Sequence, residues 1–325
     1  MADSWLAWRH ESDREQAARG GPGTALADRP RFVRIGLFAI NYATCGEPVI
    51  AVRVARADEA AGFESVWTGE HIVLPDPIVA GSPLPPETPL LDTVVALTLI
   101  AAHTRTLRIG SGIVVLPQRN PLVLAKELAS IDVVCAGRLI VGVGAGYLEP
   151  EFHALGIPLE RRGQRMDDYI RALRAIWTGS RARHHGEFAS FAGVSAYPRP
   201  VQQPSPPIII GGESPAALRR AVMMGNGWYG FGLTLDETRQ AIEGLRRASE
   251  RHERPADLGG LEISVTPIGE FSERRVEQYA DLGVDRLIVL PRPDATRRQR
   301  HAPVPVDDIL RNIDLVSKTV TSVTA

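Results

Sequence analysis

The sequence predicts a (β/α)8 barrel, an α/β fold of the TIM type, and three observations lead to this prediction. The chain has 325 residues, an ordinary length for one α/β barrel with insertions. From residue 33 onwards, short apolar runs alternate with amphipathic stretches, which is the pattern of βαβ units. Eight strand candidates occur, with helix patterns between most of them. We therefore expect a single barrel domain over residues 32–325, with insertions after the second, fourth and eighth strands.

Each strand is predicted where a short apolar run is bounded by turn residues, and each helix where apolar residues recur at a spacing near 3.6. The predicted strands are residues 33–39, 64–68, 107–116, 138–144, 208–210, 227–231, 261–267 and 285–290. The predicted helices are residues 49–61, 92–102, 121–134, 164–177, 215–224, 236–252, 272–281 and 305–320. Residues 72–91, which hold six prolines, and residues 147–163 are insertions, and residues 184–207 are a hairpin or an irregular excursion.

Residues 1–31 precede the first strand and are polar, with a break at residues 20–23. We interpret them as a flexible N-terminal extension. The alternative is that Trp5, Leu6 and Trp8 dock on the barrel or on a partner subunit.

Composition restricts the class of partner. The net charge is −1, from 37 basic and 38 acidic residues, so no overall field favours nucleic acid or an anionic membrane. Cys45 and Cys135 are the only cysteines, too few for a disulfide scaffold or a multi-cysteine zinc site, and we predict no metal. No apolar run reaches the roughly 18 residues of a membrane span. We expect a cytoplasmic protein that acts on a small organic substrate.

The active site of such a barrel forms where its strands end, at their carboxyl edge. Glu70 and His71 follow the second strand and are the predicted catalytic pair, because a histidine can give or take a proton near neutral pH. The alternative is a structural histidine that caps the next segment or binds a backbone carbonyl.

Two glycine turns are candidate ligand sites. Gly211 and Gly212, with Glu213 and Ser214, join the fifth strand to a helix, and such a helix start favours a phosphate. Plain capping of the helix by Ser214 is the alternative. The pattern of glycines at 142, 144 and 146 is an incomplete dinucleotide fingerprint. It indicates close approach to a bound ring, or a simple turn.

The loop after the eighth strand is rich in arginine, at positions 292, 297, 298 and 300. It is either a solvated loop or a basic rim that holds the acidic tail of a ligand.

Four motifs in this order carry a family resemblance. They are Gly62-Phe-Glu-Ser-Val-Trp-Thr-Gly-Glu-His71, Gly110-Ser-Gly-Ile-Val-Val-Leu-Pro-Gln-Arg-Asn-Pro121, Gly137-Arg-Leu-Ile-Val-Gly-Val-Gly-Ala-Gly146 and Pro207-Ile-Ile-Ile-Gly-Gly212. From residue 33 to residue 320 the chain resembles the luciferase-like monooxygenase superfamily of flavin- and deazaflavin-dependent barrels. Within that superfamily it is most similar to the F420-dependent oxidoreductases.

The resemblance implies a deazaflavin across the barrel mouth, backed by a bulge with a cis peptide between Gly112 and Ile113. Gly211 and Gly212 would face its phosphate, and His71 would position the ring or relay a proton. The predicted cofactor-binding residues are Asn41, Glu70, His71, Ser111, Gly112, Ile113, Ala145, Gly146, Gly211, Gly212, Glu213 and Ser214.

The chain also departs from the family pattern. Tyr147 stands where the sugar-phosphate dehydrogenases of the family have a glutamate, and the only lysines, Lys126 and Lys318, lie in predicted helices. A sugar phosphate is therefore disfavoured. The predicted substrate pocket is roomy and mostly apolar, and it contains Tyr42, Tyr147, Leu148 and Phe231.

The expected activity is F420-dependent hydride transfer between the deazaflavin and an organic substrate, as a reductase of an activated C=C, C=N or C=O group. One alternative is an FMN-dependent monooxygenase of the same superfamily, and a second is a non-catalytic flavin-binding barrel. The resemblance also implies a homodimer.

Overall fold

The structure, a computed structural model, describes residues 33–324, and the predicted extension 1–31 lies outside the described residues. The strands are β1 (Arg34–Leu37), β2 (Ser65–Thr68), β3 (Arg108–Ser111), β4 (Val114–Val115), β5 (Leu139–Gly144), β6 (Ala182–His185), β7 (Ser190–Val194), β8 (Ile208–Gly211), β9 (Gly227–Leu233), β10 (Glu262–Pro267) and β11 (Arg286–Val289). The helices are α1 (Pro48–Ala60), α2 (Thr93–His103), α3 (Pro121–Val134), α4 (Glu149–Ala154), α5 (Arg162–Thr178), α6 (Pro215–Met224), α7 (Leu235–Arg251), α8 (Glu273–Asp281) and α9 (Val306–Thr324).

The parallel strands close into a barrel with eight strand positions, which confirms the predicted (β/α)8 fold. Around the barrel the order is β1, β2, β3 with β4, β5, β8, β9, β10 and β11, and β11 pairs again with β1. The antiparallel pair β6–β7 stands outside the barrel.

The third predicted strand, residues 107–116, is two short strands rather than one. A cis peptide between Gly112 and Ile113 separates β3 from β4, as the resemblance implied. Both pieces pair with β5, through Ile109 opposite Leu139 and Val114 opposite Val143. The break is therefore a bulge within one barrel position, located where the strand meets the barrel mouth.

Local sequence explains where several helices begin. The carboxylate of Asp92 accepts hydrogen bonds from two N–H groups of the first turn of α2, and Asn120 does the same for α3 just before Pro121. Thr234 and Glu237 form a reciprocal capping box on α7. These caps satisfy backbone donors that have no partner inside the helix.

One helix was not predicted. Helix α4 lies inside the predicted insertion 147–163 and has six residues, too few to show a helical periodicity in the sequence. Its position above the barrel mouth proves important for the site.

A buried ion cluster fills the amino-terminal end of the barrel. The guanidinium of Arg286 is fully buried and contacts the carboxylates of Glu64, at 2.8 Å, and Glu262. Burial raises the pKa of Glu262, but Arg286 and Arg34 outweigh it and lower this pKa to about 2. The charged residues at this end therefore support the barrel, and the opposite end is left for a ligand.

Within residues 33–324, no helix is both long and apolar enough to cross a membrane. The same residues contain no cluster of three or more His, Cys, Asp and Glu side chains suited to a metal ion.

Candidate functional site

A cavity of about 790 Å³ opens at the carboxyl ends of the barrel strands. Its wall includes thirteen of the predicted site residues: Tyr42, Glu70, His71, Gly112, Ile113, Ala145, Gly146, Tyr147, Gly211, Gly212, Glu213, Ser214 and Phe231. The fold thus brings residues from six barrel positions to one place.

Asn41 and Leu148 do not line this cavity, and their predicted direct roles stay predictions. Asn41 is fully buried, and its amide exchanges hydrogen bonds with Gly69 N–H and C=O while also donating to Leu91. Leu148 is 3% exposed and packs inside at the start of α4. Both side chains support the wall from behind.

Ser111 is the third predicted residue that does not line the cavity. Its hydroxyl donates to Gly142 O at 2.8 Å and accepts from Gly142 N at 2.9 Å. A β-carbon on Gly142 would lie 1.9 Å from Ser111 O. Ser111 therefore ties β3 to β5 at the bulge, and its contact with a cofactor stays a prediction.

Glu70 lines the cavity, but both of its carboxylate oxygens are engaged. One accepts from Arg119 Nε at 3.0 Å and Nη2 at 2.5 Å, and the other accepts from Val115 N at 2.6 Å. Burial raises the pKa of Glu70, and Arg119 opposes this. The catalytic role of Glu70 stays a prediction, while these contacts favour a role in anchoring β4.

His71 is held by a residue that the sequence did not indicate. Its Nδ1 lies 3.1 Å from Glu151 Oε2, and the other oxygen of Glu151 accepts from Ile72 N at 2.6 Å. Burial raises the pKa of Glu151, but the contacts with His71, Gln118 and Ile72 N together outweigh it and keep this pKa below its ordinary value. The ionised carboxylate accepts from Nδ1–H, which leaves Nε2 as the acceptor when the ring is neutral.

The glycines of the strand ends have a structural purpose. A β-carbon on Gly144 would lie 2.3 Å from Ile113 Cδ1, and one on Gly211 would lie 3.0 Å from Ile113 Cγ2. The close approach inferred from the glycine spacing is therefore, in the structure, an approach to the side chain of Ile113. Together these residues form a smooth wall beside the bulge.

The glycine turn after β8 contains the helix cap that was the alternative interpretation, and phosphate binding there stays a prediction. Gly212 has φ +107° and lines the cavity, as an open turn before a helix requires. The Ser214 hydroxyl accepts from Ala217 N at 3.2 Å and so caps α6. Glu213 is exposed beside this turn.

Arginine side chains surround this end of the cavity. Arg162 donates to Gly146 O at 2.9 Å, Arg220 pairs with Asp167, and Arg297 pairs with Glu237. The wall also contains Arg161 and Arg300. Of the arginines in the loop after β11, positions 297 and 300 line the cavity, whereas positions 292 and 298 do not.

One end of the cavity is aromatic, and Arg300 lies over its Phe231 ring at 5.8 Å from the centroid. Phe38 and Phe231 have ring centroids 4.8 Å apart, and His301 lies against Phe231 with centroids 5.7 Å apart. His301 was not predicted as a site residue, and its place at the end of the loop after the last strand is the one signal in the sequence. This end suits an apolar substrate with a polar group.

The family assignment rests on a comparison that covers most of the chain. The model of the family described as luciferase-like monooxygenase matches residues 40–309. An uncharacterised protein of Mycobacterium tuberculosis is 29% identical over 277 residues, which are 83% of this chain and 93% of that relative.

Proteins with a named activity are more distant or match in part. The oxygenase component of a flavin-dependent trigonelline monooxygenase from Acinetobacter baylyi is 31% identical over 54% of this chain and 46% of its own length. An F420-dependent secondary alcohol dehydrogenase, solved in complex with an F420-acetone adduct, has a TM-score of 0.69 at 14% identity and covers 90% of this chain and 99% of its own. The second likeness concerns the fold alone.

Proposed function

Because the chain belongs to the luciferase-like monooxygenase family, we propose that it is an F420-dependent oxidoreductase that transfers a hydride between the deazaflavin and an organic substrate. Reduction of an activated C=C, C=N or C=O group is the proposed direction. The observation that carries the proposal is His71, fixed by Glu151 at a cavity wall built around the bulge at Gly112 and Ile113. The bound deazaflavin would supply the hydride chemistry.

The residues present fit a long cofactor with a flat ring and a phosphate. The bulge and the glycines at 144 and 211 would face the ring, because all of them line the cavity. Gly212, the first turn of α6 and Arg220 would hold the phosphate, since backbone N–H groups at a helix start favour an anion. The arginines around this end would accommodate a further anionic extension.

His71 is the proposed proton carrier. The Glu151 carboxylate fixes its Nδ1 and leaves Nε2 free to exchange a proton with the substrate, while the aromatic residues near His301 limit access of water. Hydride transfer to a polar double bond must be accompanied by proton transfer. An imidazole can donate a proton during reduction of the substrate and accept one in the reverse reaction.

A second candidate is an FMN-dependent monooxygenase, which the similarity to the trigonelline monooxygenase favours. The same wall residues would contact FMN. The two functions differ in whether the bound ring donates a hydride to the substrate or reacts with oxygen. A non-catalytic flavin-binding barrel is a third possibility, in which His71 has no chemical role.

The test is oxidation of reduced F420 under anaerobic conditions with a panel of enones, imines and ketones, on the wild type and on His71→Ala. We expect one acceptor class to oxidise the cofactor. In His71→Ala, turnover is expected to fall by about 100-fold while F420 affinity stays within about two-fold. Equal turnover in both proteins, or none with any acceptor, would contradict the proposal.

A further inference from the structure

His301 is held in one orientation by two neighbours. Its ring lies nearly parallel to Phe231, with an interplanar angle of 26° and a centroid distance of 5.7 Å. Its Nδ1 lies 3.3 Å from the hydroxyl of Tyr42. The stacking sets the plane of the ring and the hydrogen bond sets its rotation, so Nε2 is the ring nitrogen that remains for a ligand in the cavity.

The surroundings of His301 keep the ring neutral. Burial, followed by the positive charge of Arg300, lowers the pKa of His301 to about 4. Burial raises the pKa of Tyr42, so the phenol keeps its proton. A phenol is a better donor than a neutral imidazole, and an imidazole nitrogen is the better acceptor. Tyr42 therefore donates to Nδ1, and the ring proton of His301 resides on Nε2.

In their neutral forms the two histidines of the cavity thus have opposite tautomers. Nδ1–H of His71 donates to the ionised Glu151, which makes Nε2 the acceptor of a neutral His71 ring. Nδ1 of His301 accepts from Tyr42, which makes Nε2 of His301 a donor. The cavity thus offers an acceptor at His71 Nε2 and a donor at His301 Nε2–H. This pair complements a substrate group whose oxygen accepts a hydrogen bond and can carry a proton.

We propose that His301 is a substrate-binding residue whose Nε2–H donates to an acceptor oxygen of the substrate, such as a carbonyl oxygen. Tyr42 is the positioning residue that fixes this tautomer. The inference deepens the proposed function and rests on it, because the substrate must enter this cavity. A donor at this position favours substrate groups with a polar acceptor atom over an isolated C=C bond. An isolated C=C bond would leave the buried Nε2–H of His301 without a hydrogen-bond partner.

The first test is the tautomer itself, which needs no cofactor. The full-length protein is labelled with 15N in its histidine rings, and the His301 signals are assigned by their loss in His301→Phe. We expect an unprotonated Nδ1 and a protonated Nε2 from pH 6 to pH 8, and a mixture of tautomers in Tyr42→Phe. A proton on Nδ1 of the wild-type His301 would overturn the proposal.

The second test compares acetophenone with α-methylstyrene, which has nearly the same shape but no oxygen. We expect acetophenone to shift the His301 Nε2–H signal and to bind about five- to ten-fold more tightly, as one hydrogen bond provides. The preference should disappear in His301→Phe, which keeps the stacking on Phe231. No shift at Nε2, or an equal preference in the variant, would overturn the proposal.

These results are separable from the proposed function. A protein that binds neither F420 nor FMN but shows this tautomer and this probe preference refutes the cofactor assignment and supports the role of His301. Tight F420 binding without the preference for acetophenone supports the cofactor assignment and refutes the role of His301.

Discussion

Replacing Glu70 with glutamine is expected to lower the free energy of unfolding, because Glu70 anchors the barrel mouth. Glu70 stands next to His71, but its oxygens hold Arg119 and the Val115 N–H across the bulge. Glutamine has the same shape and keeps one acceptor oxygen, yet it has no charge. Arg119 would then lose one of its two carboxylate partners, the other being Asp92.

The magnitude follows from the burial of the pair. At a separation of about 3 Å and an effective dielectric constant of about 20, the attraction of two unit charges is about 5 to 6 kcal/mol. The cost of removing both charges from water offsets much of it, because the side chain of Glu70 is 2% exposed and that of Arg119 is 15% exposed. Breaking such a buried pair from one side costs about 3 to 5 kcal/mol.

Urea denaturation of the wild type and Glu70→Gln measures this loss. Glu243→Gln is the matched control, because Glu243 is half exposed and pairs with Arg246 and Arg247 on the surface of α7. We expect the control to change the free energy of unfolding by less than about 0.5 kcal/mol. If Glu70→Gln were as stable as the control and lost only turnover, the anchoring role would be refuted and the catalytic prediction strengthened.

Three further variants test separate parts of the site and fold. Glu151→Gln should leave F420 affinity within about two-fold, lower turnover by about 10- to 100-fold and mix the ring tautomers of His71 by 15N NMR, and an unchanged tautomer would contradict this. Asp58 is fully buried with no partner for its carboxylate in the described chain, and burial raises its pKa well above the ordinary value, so wild-type stability should fall as pH rises above about 4. Asp58→Asn should reduce the loss of unfolding free energy between pH 5 and pH 8, as measured by urea unfolding. An equal loss in the wild type and the variant would contradict the role of Asp58. Gly142→Ala should lower the free energy of unfolding by more than about 2 kcal/mol and weaken F420 binding, because its β-carbon would meet Ser111 O, and wild-type stability would disprove the contact.

The barrel could be predicted because its signals are local. Apolar runs define the strands, and caps such as Asp92 and Asn120 stand within three residues of the N–H groups they bind. The bulge at Gly112 was implied by the resemblance, since the interruption of the apolar run at residues 110–112 does not by itself indicate a cis peptide.

The partners of the site residues could not be predicted, because they are distant in sequence. His71 and Glu151 are 80 residues apart, and Tyr42 and His301 are 259 apart. Strand-end position alone led to the prediction that Asn41 binds the cofactor. It could not show that the backbone of Gly69 occupies the Asn41 amide.

Parallel titration of the purified protein with F420 and FMN measures which of the two cofactors this cavity binds. Calorimetry or quenching of tryptophan fluorescence gives both affinities under one set of conditions. We expect F420 to bind at least about 100-fold more tightly than FMN, a difference of about 2.7 kcal/mol. Tighter binding of FMN would refute the F420 proposal and make the oxygen-dependent monooxygenase the better explanation of the site.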